Sequence, residues 1–327
     1  MRQETIHLSY SDEEYLMRSS KLLVVAPAVA LLAVQLGALA AIAHAQSQAP
    51  HVQSTRTPAV AVGPQYGSTH VYVPTEDVDR FVTSFLGTLG GQSSKQVVAT
   101  VTPEPSSTTS QLLETPVGMV SLFGFKTPIP FPFGSERTGY LVTDLDLAVR
   151  EARDCGADVI VEPFPDPIGR DAIIQWPGGV NMQLYWHTTA PSYPALQTIP
   201  ENRVYVSSVR AAAFVHGFLA FSHGSIESDA EHAPGIEIGR PNDTYRRIRI
   251  QSAFGNLTVL VTDGHLPYPY GRELTGYEVR DLTATLAKGR LLGVAILAGP
   301  YTSDTRDAAI VEFPGGYIAE IHSQTTQ

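Results

Sequence analysis

Thr138-Gly139-Tyr140-Leu141-Val142-Thr143-Asp144-Leu145 returns later in the chain as Thr275-Gly276-Tyr277-Glu278-Val279-Arg280-Asp281-Leu282, with six of the eight positions identical. Outward from this stretch the match continues. Gly156 is answered by Gly293, Pro163 by Pro300, Arg170-Asp171-Ala172 by Arg306-Asp307-Ala308, and Pro177-Gly178-Gly179 by Pro314-Gly315-Gly316. Upstream, His70-Val71-Tyr72-Val73 with Phe81-Val82 and Phe85-Leu86 recurs as Arg203-Val204-Tyr205-Val206 with Phe214-Val215 and Phe218-Leu219. The period is too long for a solenoid repeat and has the size of a duplicated domain.

Each copy carries the same local pattern. Residues 69–73 form a short β-rich run. Residues 76–89 then place Val78, Phe81, Val82, Phe85 and Leu86 at helical spacing, with Thr75 as N-cap and Gly90-Gly91 as stop. Strands are expected over 96–101, 117–125 and 138–142. A helix over 144–155 ends at Gly156, and strands follow over 158–162, 172–176 and 181–186. Residues 189–201, with three prolines, form a linker. The second copy has strands over 203–207, 245–252, 257–262, 276–279, 294–297, 309–313 and 317–321. Its helices cover 209–222 and 281–291. The fold class is therefore α+β: two tandem domains, residues 68–188 and 202–323, each of two β-α-β-β-β units, with a tail over 324–327.

With 327 residues, 43% of them apolar and 17% charged, the chain has the composition of a globular protein. The net charge is -10 and no basic stripe is present, which argues against a nucleic-acid partner. The single cysteine, Cys155, excludes an internal disulfide and a two-cysteine metal motif. Residues 22–42 are apolar but for Gln35, follow Arg18 and Lys21, and precede Ala43-His44-Ala45. That order predicts a secretory signal peptide over 1–45, cleaved after Ala45, and an exported protein, periplasmic or secreted. The alternative is a retained membrane anchor, since about 20 apolar residues span a bilayer. Translation from Met17 would give a conventional signal, and the expectation is that it starts there. Residues 46–67, rich in Ser, Thr, Pro, Gln and Ala, are expected to form a flexible leader.

The opening strand and helix over 70–91 and the Val142-x-Asp144-Leu145 junction resemble the vicinal-oxygen-chelate superfamily. That superfamily includes glyoxalase I, bleomycin-resistance proteins and extradiol dioxygenases. Gly169-Arg170-Asp171-Ala172 and the closing run from Trp176 to Tyr185 add to the resemblance. It implies that each pair of units curls into a cupped sheet, with ligands for a divalent metal on first and last strands. At those positions stand His70 and Gln183 in domain one, and Arg203 and Glu320 in domain two. Ser121 closes the first unit where a carboxylate is expected.

Arginine is cationic and cannot deprotonate, so Arg203 has the wrong sign for a metal ligand. His70 and Gln183 form a neutral pair, the one place in domain one where a divalent metal could sit, and no metal set is assigned there. His70 has a functional reading, as metal ligand or general base, and a plainer one as a cup-lining polar residue. On alternating strands His70 and Tyr72 share one face, Gln183 and Tyr185 another, and Glu320 and His322 a third. The first four are the expected ligand-binding residues. Arg203 and Glu320 are read as a structural ion pair. Arg170-Asp171 and Arg306-Asp307 are read as turn-fixing pairs, His216 and His223 as surface residues. Trp176, Tyr185 and Trp186 either stack on a planar ligand or belong to the core.

Two functions fit. The first is an exported glyoxalase- or bleomycin-resistance-like protein that binds a small organic molecule in a cup whose metal site is degenerate. The second is a metal-dependent lyase, isomerase or dioxygenase. A structural or oligomeric protein is a third, weaker reading.

Overall fold

The computed structural model describes residues 59–325. The expected signal segment and most of the expected leader lie outside them. Among the described residues no helix is long and apolar enough to cross a membrane.

The repeat earns its conservation between the two halves through backbone chemistry. In the first half it spans strand β6 (Thr138–Leu141) and the start of helix α2 (Leu145–Asp154); in the second, strand β14 (Leu274–Glu278) and helix α4 (Leu282–Leu291). The Asp144 side chain accepts a hydrogen bond from the Leu147 N–H at 2.9 Å, and Asp281 accepts one from the Ala284 N–H at 2.9 Å. Each caps a helix start that would otherwise leave a donor unsatisfied. Gly156 and Gly293, at φ 94 and φ 86, take the left-handed turn after the helix that other residues avoid.

Strands β1 (Gly67–Tyr72), β2 (Gln92–Ser93), β3 (Val97–Ala99), β4 (Thr108–Thr115), β5 (Gly118–Phe125), β6, β7 (Asp158–Pro165), β8 (Gly169–Trp176) and β9 (Val180–His187) form one sheet. Its order is β2-β4-β5-β1-β6-β9-β8-β7, with β3 beside β4. Strands β10 (Glu201–Val206), β11 (Ser225–Pro234), β12 (Thr244–Ser252), β13 (Gly255–Val261), β14, β15 (Ala295–Ser303), β16 (Arg306–Phe313) and β17 (Tyr317–Gln324) form the other. Its order, β11-β12-β13-β10-β14-β17-β16-β15, repeats the first. In each sheet the opening strands of the two units pair antiparallel, β1 with β6 and β10 with β14.

Strand alternation sends one side-chain set toward the helices and the other into the cup. Val71 and Val73, then Met182 and Leu184, face helices; Val204 and Val206, then Ala319 and Ile321, do the same. The core lies between the two sheets. Helix α1 (Val78–Leu89) packs on α4 and touches β5 of one sheet and β16 of the other, while α2 packs on α3 (Ser208–Ser222). Phe85 has its ring centroid 5.0 Å from that of Phe313 and 5.6 Å from that of Tyr277. Trp176 meets Phe221 at 5.5 Å. Both apolar clusters thus draw on both halves of the chain.

Several expectations need correction. The chain joins the fold before residue 68: Val60 is buried, and its carbonyl accepts from the Thr143 N–H at 2.8 Å. Thr75 does not cap α1; its hydroxyl donates to the Phe125 carbonyl at 2.8 Å while a short 3-10 turn precedes the helix. Strands β4 and β11 were not expected, because Thr, Ser and Glu dominate them and alternation there is blunt. The last strand runs through Gln324, into the expected tail. Trp176 is core, whereas Tyr185 faces a cup.

The seam between the sheets is polar. Thr69 and Thr275 hydroxyls meet at 3.1 Å, and Glu273 stands 3.5 Å from the Thr138 hydroxyl. Burial pushes the Glu273 carboxyl up to about 8, Glu136 adds to the rise, and Asn202 and Arg137 pull part of it back.

Two outcomes follow from this arrangement. Phe85→Ala should cost about 3–5 kcal/mol, and the wild type should unfold in urea with near- and far-ultraviolet dichroism transitions coincident. Two separate transitions would contradict a shared core. Glu273 keeps its proton in the folded state at pH values where the unfolded chain has released it. Stability should therefore fall as pH rises from the ordinary 4.5 through about 8. Glu273→Gln should flatten that slope in a melting-temperature series, and parallel lines for the two proteins would refute the assignment.

Candidate functional site

The first cup holds a cavity of about 200 Å³. His70 and Tyr72 from β1 line it, as do Gln183 and Tyr185 from β9, so one space gathers all four residues expected to bind a ligand. Ser121 and Phe123 from β5, which pairs with β1 on the side away from β9, extend the wall. His70 can lie across β6 only because Gly139 has no side chain: a Cβ there would stand 2.4 Å from His70 Nε2. The second glycine of the repeat, Gly276, leaves the equivalent room under Arg203.

Two residues that sequence reading did not assign to this cup shape it. Glu136 is fully buried. Its Oε1 accepts from the Tyr72 hydroxyl and lies 3.5 Å from His70 Nδ1, while Oε2 has no hydrogen-bond partner. Burial and the Glu136 charge both raise the Tyr72 hydroxyl well above the usual phenol range. The signal was available, because Glu136 and Glu273 hold the same place before the repeated Thr-Gly-Tyr. The second residue is Asp171, which lines the cavity at 6% exposure. Burial first, then Asp166, raises its carboxyl well above the ordinary range, with Gln183 opposing.

Asp171 was read as half of a turn-fixing pair echoed by Arg306-Asp307. Register shows otherwise. Asp171 pairs with Tyr185, but the residue in its place on β16 is Ala308, which pairs with His322. The Arg-Asp echo is one residue out of step, and one step on a strand turns a side chain to the opposite face. Asp171 therefore enters its cup, while in the other half Arg306 does. Arg170 instead reaches Asp146 on α2 through two bonds of 2.9 and 3.0 Å.

The second cup is filled with charge. Glu201 Oε2 accepts from Arg203 and from Arg306, each at 2.9 Å. Arg203 reaches Glu320 at 3.1 Å with its other terminal nitrogen. Deeper toward β12, Arg247 bonds Glu237 and Asp304. Burial alone would raise Glu201, but Arg203 and Arg306 outweigh it and hold the carboxyl well below the usual range. Burial likewise works against Glu320, and Arg203 with His322 reverses it. For His322 burial favours the neutral ring, yet Glu278 and Glu320 raise its pKa.

Within this cup Glu201, Glu320 and His322 bring donor atoms within 4.8 Å of one another, all three buried. His322 Nδ1 and Glu320 Oε1 stand 3.2 Å apart and neither has another hydrogen-bond partner, though Arg306 lies 4.0 Å from Glu320 Oε1. Two carboxylates and an imidazole are a donor set that suits a divalent ion, and the three could hold one. Arg203 and Arg306 share the carboxylates and already offset their charge. The expectation that domain two keeps Glu320 alone is thus corrected. Glu201 was missed because it lies two residues before the matched position, on the same strand face. His70 belongs to no such group of His, Cys, Asp and Glu among the described residues.

Removing one partner of a buried ion pair strands the other, so Arg203→Ala or Glu320→Ala should each cost about 3–5 kcal/mol in chemical denaturation. His70→Ala, which leaves Glu136 bonded to Tyr72, should cost roughly 1 kcal/mol. Equal losses for the two cups would show that the first is as tightly knit as the second.

No family model matches the sequence, and no curated protein matches it. Solved structures do. A mutant of 4-hydroxymandelate synthase from Streptomyces coelicolor superposes with TM-score 0.54 at 14% identity, over 81% of this chain and 94% of that one. The 2,2',3-trihydroxybiphenyl 1,2-dioxygenase of Sphingomonas wittichii gives 0.50 at 11% identity, over 82% and 92%. A variant of homoprotocatechuate 2,3-dioxygenase from B. fuscum gives 0.50 at 11%, over 82% and 73%. At such identities the likeness concerns the fold. With its two mixed sheets and their repeated strand order, the chain has the tandem-domain fold of the vicinal-oxygen-chelate superfamily.

Proposed function

We propose that this protein takes a small organic molecule into its first cup. The observation that carries the reading is the cavity of about 200 Å³ in which His70, Tyr72, Gln183 and Tyr185 converge. Concave, largely apolar spaces with a few placed polar groups are where small molecules bind. Ser121, His70 and Gln183 offer hydrogen bonds to a polar end, and Phe123 and Met119 offer apolar contact. A fragment screen by thermal shift tests it. Hits should lose their shift in His70→Ala and Gln183→Ala and keep it in Glu278→Gln, a change outside the cavity. Hits indifferent to all three would remove the first cup from consideration.

A second reading is a metal-dependent lyase, isomerase or dioxygenase, and the Glu201–Glu320–His322 group favours it. Together with a fold shared with a synthase and dioxygenases, that group supports this reading better than a wholly degenerate metal site. A divalent ion there would supply Lewis-acid chemistry. Arg203 and Arg306 would keep Glu201 and Glu320 ionised and oriented, and Glu278 would hold the far nitrogen of His322, 3.7 Å away. Metal analysis of protein purified without chelators separates the readings. A stoichiometric ion that disappears in Glu320→Gln establishes the second; a metal-free protein that binds its fragments leaves the first.

Export to the periplasm or medium is supported by the order of Arg18, Lys21, the apolar run and Ala43-His44-Ala45. N-terminal sequencing from the native host should find a chain beginning at Gln46.

A further inference from the structure

The charges around the first cavity are one-sided. Asp166 and Asp171 line it, and no lysine or arginine does. Behind the wall stands Glu136, fully buried, with Oε2 unpartnered. The nearest arginine on the lining strands, Arg170, is committed to Asp146 by two hydrogen bonds. Arg137, beside Glu136 in sequence, is not part of the lining. Burial holds His187 below the usual imidazole range, so it adds no positive charge near neutral pH. An anionic ligand would meet like charge at a desolvated site, where repulsion is least screened. A neutral ligand would leave the field of these carboxyl groups unanswered.

The rest of the wall suits the opposite sign. Tyr72, Phe123, Phe133 and Tyr185 present aromatic rings to the space, and a cation is drawn to a ring face. At the mouth the wall turns apolar and open: Val97 is 52% exposed and Ile168 57%. Charge sits at the floor and greasy surface at the rim.

We propose that the first cup binds an organic cation, a protonated or quaternary amine on an apolar body, with the charge beside Asp171 and the body passing out along Val97 and Ile168. The proposal rests on the reading of this cup as the organic-ligand site. Asp171 supplies the counter-charge. Burial and Asp166 push its carboxyl above the ordinary range, and an arriving cation favours the ionised form. Gln183 and the rings orient the head, and Asp166 at the cavity's edge adds attraction on entry.

The test uses three probes that share one body: 4-phenylbutylamine, 4-phenylbutanol and 4-phenylbutyrate, titrated into the full-length mature protein at fixed ionic strength by protein-observed NMR. The amine should bind at least about tenfold more tightly than the alcohol, and the acid more weakly than both. Asp171→Asn should bring the amine down to the level of the alcohol while leaving the alcohol unchanged. Ile168→Arg changes an exposed rim residue and keeps the fold, so it serves if the Asp171 variant fails to fold. It should weaken the amine severalfold and strengthen the acid. An alcohol that equals the amine, or an acid that binds best, overturns the cationic class while the first cup remains an organic site. If none of the three probes perturbs the cavity residues, the reading of the cup as a small-molecule site falls with it.

Discussion

Everything distinctive about this molecule depends on the two-residue alternation of its inner strands. Along β1, β9, β10 and β17 one set of side chains supplies the core between the sheets and the other set fills a cup. Because the core-facing set is fixed by packing on four helices, the strands cannot slip by one residue without exposing it. The cup-facing set is then free to differ between the two halves. His70 and Gln183 occupy one cup and Arg203 and Glu320 the other at corresponding places, and the fold around them is the same.

That freedom gave the halves opposite electrostatics. In the second cup arginines and carboxylates meet at hydrogen-bonding distance, from Arg306 at the rim to Arg247 near β12. A network of this kind is tolerated in a desolvated interior only when nearly every charge has a partner. It leaves little room for a guest, and the three groups that could grip a metal are the ones the arginines also hold. The first cup has no such cations. Its carboxyl groups face an open space or, in Glu136, lean on Tyr72 and His70.

Much of this was legible in the sequence, and the reasons are local. The duplicated strand-to-helix junction was readable because an aspartate N-cap and a C-terminal glycine are backbone requirements that survive divergence. The four residues of the first cup were readable because period-two alternation assigns faces without knowledge of the partners. Strands β4 and β11 were hidden by their polar composition, since Thr, Ser, Gln and Glu there carry no clear period-two alternation. Asp171 was hidden by a one-residue offset that identity counting cannot see but hydrogen-bond register can. Glu201 and Glu136 were hidden because neither sits on a position that the resemblance marks. Each enters its site through a neighbour, Arg203 for one and Tyr72 for the other.

Glu136 and Glu273 carry the comparison one step further. They are the same residue of the repeat, and the packing of the halves brings them near enough that Glu136 adds to the rise of the Glu273 carboxyl, which Arg137 partly offsets. Glu273 takes the proton, as the rise of its carboxyl to about 8 records, and the Thr138 hydroxyl beside it needs no charge. Glu136 accepts from Tyr72 and faces His70. The two copies of one repeat position thus do different work: Glu273 meets Thr138 across the seam, while Glu136 stands behind the wall of the first cup, bonded to Tyr72 and facing His70.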